Sequence, residues 1–387
     1  MAVRLVKEGL AELELPEDQR LDNQLGPQRA GGKMVFYNPA ARPSRDFTVL
    51  MMRALPAPPK GWRMLDGLCG SGVRGLRVAL EVDHVAEVVL NDGDNAAVAL
   101  AQRQVERLGL KNARTSGRSL ESALSDSSWR FDLIDIDPFG SPLRFFPSAA
   151  QRVARPGYIA ATATDLAALC GVFAHTCVRR YGALPLRNEW KKETAARILL
   201  GAIARACGAI EREVEPVATF CTQHFVRVMV RLRRGHLSEQ RAGANLGFIM
   251  CDPAGLERPR VVKLHDVLDG KGLAGQAVAG PLWVGELHDP EVLARVALPE
   301  WITPRSAAAK FVALAPGELG LPPWHFSLDQ AARRLKGSPP PTVHAVEALR
   351  AQGFKAARTH FDSKGVKTDA APSDLLAVVS AFTAAAR

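Results

Sequence analysis

At 387 residues the chain is long enough for two or three domains with substantial cores. Its 47% hydrophobic content includes no uninterrupted apolar run of the roughly 18 residues that a membrane span needs. Residues 1–18 mix both charges with isolated apolar residues, which reads against a signal peptide and sets the expectation of a cytoplasmic protein. The net charge of +10, from 50 basic against 40 acidic residues, favours a polyanionic partner such as nucleic acid. Six cysteines without a C-x-x-C pair argue against a disulfide framework or a zinc knuckle.

In chain order, residues 1–60 read as an irregular arm, broken by Gly31-Gly32 and by Pro39, Pro43, Pro56, Pro58 and Pro59. Within it, Val35-Phe36-Tyr37-Asn38-Pro39 precedes a short helix that Ser44 would cap and that ends near Leu55. Two aromatics followed by Arg45-Asp46 suggest a lid or a clamp on a small molecule. From Trp62 the pattern becomes strands alternating with helices, the signature of a parallel α/β sheet. Strands are expected at 62–66, 85–91, 131–137 and 158–164, with a weaker unit at 113–124, and helices at 73–81, 95–108 and 190–207. Residues 214–220 and 224–232 read as a closing antiparallel pair at the sheet edge.

Past Arg234 the repeat stops, so 61–234 is expected to be the catalytic domain and 235–387 a separate C-terminal domain. Residues 243–280 are Gly-rich and read as a linker or an extended hairpin. Beyond them come a helix capped by Ser327, another capped by Thr342, a strand near 354–361 and a last helix from Ser373. With several Arg and Lys, this resembles a winged-helix-like nucleic-acid platform.

Two stretches carry chemistry. After the first strand comes Asp66-Gly67-Leu68-Cys69-Gly70-Ser71-Gly72-Val73-Arg74-Gly75, with Asp92 closing the second strand. Gly70-x-Gly72-x-x-Gly75 with that acid fits a dinucleotide-binding oxidoreductase. Asp66-x-x-x-Gly70-x-Gly72 equally fits the first loop of S-adenosylmethionine-dependent methyltransferases, whose second-strand acid holds the ribose hydroxyls. The acid at Asp66 and the cation Arg74 at the helix start favour the second reading, and the fourth strand decides it.

That strand ends in Asp135-Ile136-Asp137-Pro138-Phe139-Gly140. The exocyclic amine of a planar base is a poor nucleophile because its lone pair is delocalised into the ring. A carboxylate and a neighbouring carbonyl can accept its two N–H groups and redirect the lone pair toward a methyl donor, while a flat ring fixes the plane of the base. Asp137, the Pro138 carbonyl and Phe139 supply those parts, although Asp-Pro and Phe-Gly are also ordinary turn residues.

These pieces together resemble the tRNA (guanine-N2-)-dimethyltransferases. The resemblance rests on Val6-Lys7-Glu8-Gly9, Val35 to Pro39 with Arg45-Asp46, Gly70 to Arg77, Asn91-Asp92 and Asp135 to Pro142. It continues through Thr162 to Asp165, Leu169-Cys170-Gly171, His224 to Val228, Gly280-Pro281-Leu282-Trp283, Thr359-His360-Phe361 and Lys367 to Ala370. It implies a Rossmann-like class I methyltransferase sheet with an N-terminal arm and a smaller α+β C-terminal domain. It also implies transfer of one or two methyl groups from S-adenosylmethionine to N2 of guanine 26 in tRNA. The competing readings are an amino-methyltransferase acting on guanine or adenine of another RNA or DNA, and an RNA-binding protein without catalysis.

Carried over by position, Arg45, Arg74 and Asp92 would join Asp66, Gly70 and Gly72 in holding the cofactor, and Asp137 would be the catalytic carboxylate. The family's adenine-side pair falls at Arg118-Ser119 here, and of the zinc knuckle of many members only Cys251 remains, so no metal is expected. Phe139, Thr164, Arg358, His360, Lys364 and Lys367 are the expected RNA contacts. Glu189 and Glu193 are expected to pair with cations, and neither a membrane nor an obligate protein partner is implied.

Overall fold

The computed structural model describes residues 3–16, 37–234, 245–252, 256–263 and 277–385; Gly31-Gly32, Val35, Phe36 and parts of the Gly-rich stretch after Gly243 lie outside them. The chain opens with an antiparallel hairpin, β1 (Val3–Glu8) and β2 (Ala11–Pro16), followed by α1 (Arg42–Ala54). Ser44 does not cap α1. Pro43, which needs no amide partner, sits in the first turn, so the helix begins at Arg42 and places Ser44 inside it.

Five parallel strands follow: β3 (Trp62–Asp66), β4 (Val85–Asn91), β5 (Ala113–Ser116), β6 (Phe131–Ile136) and β7 (Val153–Ala163). Between them run α2 (Val73–Glu81), α3 (Asn95–Arg107), α4 (Leu120–Ser125) and α5 (Phe146–Arg152). After β7 come α6 (Leu166–Leu169), α7 (Ala174–Tyr181) and α8 (Lys191–Gly208), then the antiparallel pair β8 (Arg212–Cys221) and β9 (Val226–Arg234). The strand order is β5-β4-β3-β6-β7-β9-β8, so β9 pairs antiparallel with β7 and β8 forms the edge. The near-continuous apolar strands are covered on both faces, as a parallel sheet requires. One face packs Ile134, Ile136, Ile159 and Val228 against α5 and α8; the other packs Met64, Val88, Leu133 and Met229 against α1, α2 and α3.

The sheet's core does not end at Arg234. The Gly-rich stretch contributes strands β10 (Leu246–Cys251), β11 (Arg260–Lys263) and β12 (Ala277–Trp283), a three-stranded sheet rather than a linker. Ile249, Leu282 and Trp283 from it are buried in the same cluster as α8. Next, α9 (Pro290–Arg295) and α10 (Ala307–Glu318) bring Val292, Leu293, Phe311 and Ala315 onto α1, where Phe311 meets Phe47 edge to face with ring centres 5.6 Å apart. A core of its own begins only near Phe326. There β13 (Phe326–Ser327), α11 (Leu328–Arg334), α12 (Thr342–Ala351), β14 (Ala356–Arg358), β15 (Gly365–Thr368) and α13 (Pro372–Ala385) enclose Leu328, Leu349, Val366, Leu375 and Val379. Its strands run in the order β13-β15-β14. Ser327 caps α11 by accepting from Gln330 N, whereas Thr342 turns its hydroxyl to Ser363 O and leaves α12 capped by Pro341. No helix among the described residues is long and apolar enough to cross a membrane.

Two buried ionic clasps bind the parts together. Glu8, only 1% exposed, accepts from Arg45 Nε (2.7 Å), Arg77 Nη1 (3.0 Å) and the Tyr37 hydroxyl (3.0 Å). Arg77 also donates to Asp46 (2.6 Å) and Glu81 (2.8 Å), and Glu81 accepts from Trp301 Nε1 (2.8 Å). At the other end, Lys367 Nζ lies 3.3 Å from Glu193 and 3.2 Å from Glu318, while Glu193 holds Arg197 at 2.8 Å. Glu193 is thus an ion-pair partner, as its helical spacing suggested.

Candidate active site

The carboxyl ends of β3, β4, β6 and β7 point to one edge of the sheet, and strand order reverses between β3 and β6. Such a switch point opens a crevice in open α/β sheets. Here the crevice has a volume of about 560 Å3. Asp66, Gly70, Ser71, Arg74 and Asp92 line one side, and Asp137 to Gly140 with Thr164 and Asp165 line the other. Tyr37, Asn38, Ser44 and Arg45 close it from the N-terminal arm.

The glycine loop owes its shape to two demands. Gly72, at the head of α2, has φ +78°, a left-handed conformation that costs a side chain strain. Gly75 lets the helix press on β4, since a Cβ there would lie 2.2 Å from Leu90 Cδ2. The Asp66 carboxylate accepts from Gly75 N (3.0 Å), which pins the helix start to the strand end. Asp92 accepts from Gly70 N with one oxygen (2.8 Å) and Asp94 N with the other (3.0 Å). Its carboxylate is therefore oriented before anything binds, and each oxygen keeps a lone pair for a hydroxyl donor.

Beneath this loop lies a cluster of charges that sequence reading did not connect. Arg74 donates to Ser44 O (3.2 Å) and Thr48 Oγ1 (2.8 Å), stands 3.4 Å from Asp135 and forms a close ion pair with Asp137 through Nη2. Arg227, wholly buried on β9, donates to Thr162 Oγ1 (2.6 Å) and Thr48 Oγ1 (2.6 Å) and pairs with Asp135. Burial pushes Asp66 up to about 7, with the charges of Asp135 and Asp137 adding to the rise and Arg74 opposing it. Burial, reinforced by the positive charge of Arg74, lowers the Arg227 guanidinium from its ordinary value. Arg74 moves the other way, because Asp135, Asp137 and Asp66 outweigh its burial. Three acids and two arginines thus form one coupled cluster at the crevice floor, where each charge depends on its partners.

The Asp137–Gly140 turn is held to the end of β7. Gly140 N donates to Thr164 Oγ1 (2.8 Å), and Thr164 N donates back to Gly140 O (3.0 Å). Phe139 stands 55% exposed at the rim, above Asp137, Pro138 and Thr164 in the crevice lining. Asp165 accepts from the Tyr181 hydroxyl (2.5 Å) and from Arg180 (2.8 Å) instead of capping α6.

The crevice thus gathers Arg45, Asp66, Gly70, Gly72's loop, Arg74, Asp92, Asp137, Pro138, Phe139 and Thr164. It leaves out Arg118 and Ser119. Arg118 is exposed, pairs with Asp126 (2.8 Å) and lies over the Trp129 ring, and Ser119 caps α4 by accepting from Ser122 N. Two expected RNA contacts are inside the protein: His360 holds Glu318 at 2.6 Å, and Lys367 bridges two carboxylates. Arg358 is exposed and Lys364 partly so. Sequence reading missed Asn38, Ser44, Thr48, Thr162 and Arg227. The signal available for Arg227 was an arginine within an apolar strand, a position that demands a buried acid.

A model described as N2,N2-dimethylguanosine tRNA methyltransferase matches residues 27–380. The tRNA (guanine(26)-N(2))-dimethyltransferase of Methanoculleus marisnigri is 36% identical over 356 residues, covering 90% of this chain and 92% of that protein. The enzyme of the same description from Thermococcus kodakarensis is 31% identical over 391 residues, covering 96% and 97%. Among solved structures, Trm1 from Pyrococcus horikoshii in complex with S-adenosyl-L-methionine superimposes with a TM-score of 0.82 at 28% identity, over 97% of this chain and 99% of that one. With this fold and crevice, the chain belongs to the N2,N2-dimethylguanosine tRNA methyltransferase family.

Proposed function

We infer that the protein methylates the exocyclic N2 of guanine 26 in tRNA, with S-adenosylmethionine as methyl donor, in the cytoplasm. The observation that carries this reading is that one crevice joins the pre-oriented Asp92 and glycine loop to the Asp137–Gly140 turn. Those residues fit the cofactor: Asp92 offers two free lone pairs to the ribose hydroxyls, Gly70 and Ser71 present loop backbone to the crevice, and Arg45 and Arg74, each already paired with a carboxylate, line the amino-acid end. When bound, the cofactor supplies an electrophilic methyl group.

The chain's own residues then prepare the amine. Arg74 engages the Oδ2 of Asp137, which leaves the other oxygen to accept one N–H of the amine. The Pro138 carbonyl accepts the second N–H, and the Phe139 ring fixes the base plane from the rim. The proton released as the methyl is transferred passes to Asp137 or to water at the crevice mouth. The exposed bases of the C-terminal unit, Arg333, Arg334, Lys336, Arg350, Lys355 and Arg358, would meet tRNA phosphates, with the described N-terminal residues Tyr37, Asn38, Ser44 and Arg45 closing the cofactor side. The test is mass-spectrometric mapping of a tRNA transcript after incubation with the protein and S-adenosylmethionine. Methylation at guanine 26 N2 is expected; an unmodified transcript, or modification of another atom, refutes the reading.

A further inference from the structure

Residues 171–181 carry apolar side chains that the fold leaves in solvent: Phe173 is 61% exposed, Val172 51%, and Val178 also faces outward. Around them His175, Arg179, Arg180, Arg187 and Lys191 are exposed, and Glu189 is the only acid between Leu166 and Lys192. The backbone that displays them is firmly held. Phe173 N donates to Ala167 O (2.9 Å), Cys177 and Tyr181 are buried in the main core, and Tyr181 and Arg180 both bind Asp165 in the crevice wall. Arg180 also comes within 4.0 Å of where a Cβ on Gly140 would lie, so this segment abuts the turn that bears Phe139. Arg144, which also lines the crevice, is 71% exposed and pairs with Glu121 at 3.5 Å.

An exposed apolar cluster rimmed by charge marks an interaction surface. Here the rim is almost wholly cationic and continuous with the crevice wall, which selects a polyanion that also enters the crevice. Phosphate neutralisation combined with aromatic stacking is how proteins hold an unpaired nucleic-acid strand. A guanine drawn into the crevice must leave its stack, and that distorted strand exposes both the phosphates and the base faces that such a surface binds.

We propose that residues 171–181 form a tRNA-docking platform at the crevice mouth, where Phe173 stacks on a base neighbouring the extruded guanine and Arg179 neutralises a phosphate. The inference rests on the tRNA-methylating reading, but it assigns the docking to the catalytic half of the chain and not to the C-terminal unit alone.

Phe173→Ala and Arg179→Ala, in the full-length protein, test it. Both side chains are exposed, so circular dichroism and S-adenosylmethionine affinity should match the unmodified protein. Filter binding of a tRNA transcript should weaken about tenfold or more for Phe173→Ala, with Phe173→Trp restoring it. For Arg179→Ala the slope of log affinity against log salt should shrink by about 0.7–0.9. In steady state KM for tRNA should rise more than kcat falls. Unchanged tRNA affinity and salt slope in variants that still bind the cofactor would overturn the platform. So would a concentration-dependent dimer of the unmodified protein that Phe173→Ala dissolves while tRNA binding is kept. If the unmodified protein binds tRNA without methylating it, the activity falls, and the same binding comparison still decides the platform.

Discussion

Glu8→Gln isolates one charge in the clasp that joins the N-terminal hairpin to the cofactor side of the crevice. The amide keeps the size of the side chain, so the change removes the carboxylate's charge from between Arg45 and Arg77. Burial alone would raise the Glu8 carboxyl, but the two guanidiniums overcome it and hold it at about 2 against an ordinary 4.5. Each tenfold in that ratio is about 1.4 kcal/mol, so ionised Glu8 contributes about 3 kcal/mol to stability at neutral pH. Because the folded value lies below the unfolded one, the contribution is complete above pH 4.5 and disappears as the pH falls toward about 2. Removing one partner from a buried pair costs roughly 3–5 kcal/mol in general, which agrees in size. Urea unfolding followed by tryptophan fluorescence reads the difference, since Trp62 and Trp301 belong to the core under the clasp. The variant should be about 3 kcal/mol less stable at neutral pH, with the gap narrowing below pH 4.5. S-adenosylmethionine should also bind more weakly, because Arg45 loses the partner that aims it at the crevice. A variant within about 0.5 kcal/mol of the unmodified protein, with a gap independent of pH, would refute the reasoning.

Asp137→Asn should lower turnover by about 10²–10⁴ while changing cofactor affinity far less, as single-turnover rates and calorimetry would reveal. Asp92→Ala should act oppositely, losing about one to two decades of cofactor affinity, the worth of one charge-assisted hydrogen bond at roughly 1.5–3 kcal/mol. Lys367→Ala strands Glu193 and Glu318 in the interior, so it should cost roughly 3–5 kcal/mol of stability. If Lys367→Ala instead left the urea midpoint alone and weakened tRNA binding, the buried placement of that lysine would be wrong.

The strands and helices from Trp62 to Thr164 were legible because their apolar runs, glycine loop and Asp-Pro turn are local signals, and the residues facing the crevice follow from them. What local pattern cannot convey is pairing across the chain. Lys367 reads from the sequence as a loop residue that meets RNA, yet it lies buried in β15 and its partner Glu193 is 174 residues away. Arg74 was read as free to hold a ligand, whereas Asp137 and Asp135 engage it from β6. The stretch from Leu246 to Trp283 reads only as a linker or an extended hairpin because glycine weakens the alternation that announces a strand, while the burial of its three strands comes from α8, far upstream. Arg118 and Ser119 are assigned to the crevice only by their position in the family resemblance, and the Arg118–Asp126 pair turns that loop's charge outward.

Arg227 has a consequence for how the protein is made. The floor beneath the glycine loop is neutralised by a residue from the last strand to join the sheet in sequence, and Phe311 covers α1 later still. During translation α1, α2 and β6 leave the ribosome with Asp135 lacking its arginine and Phe47 lacking its cover. The growing chain can therefore assemble helices early but cannot close this half of the molecule until residues past 311 have emerged. A nascent chain stalled before Arg227 should present a sticky, unbalanced surface to chaperones, and release from them should coincide with synthesis of α10.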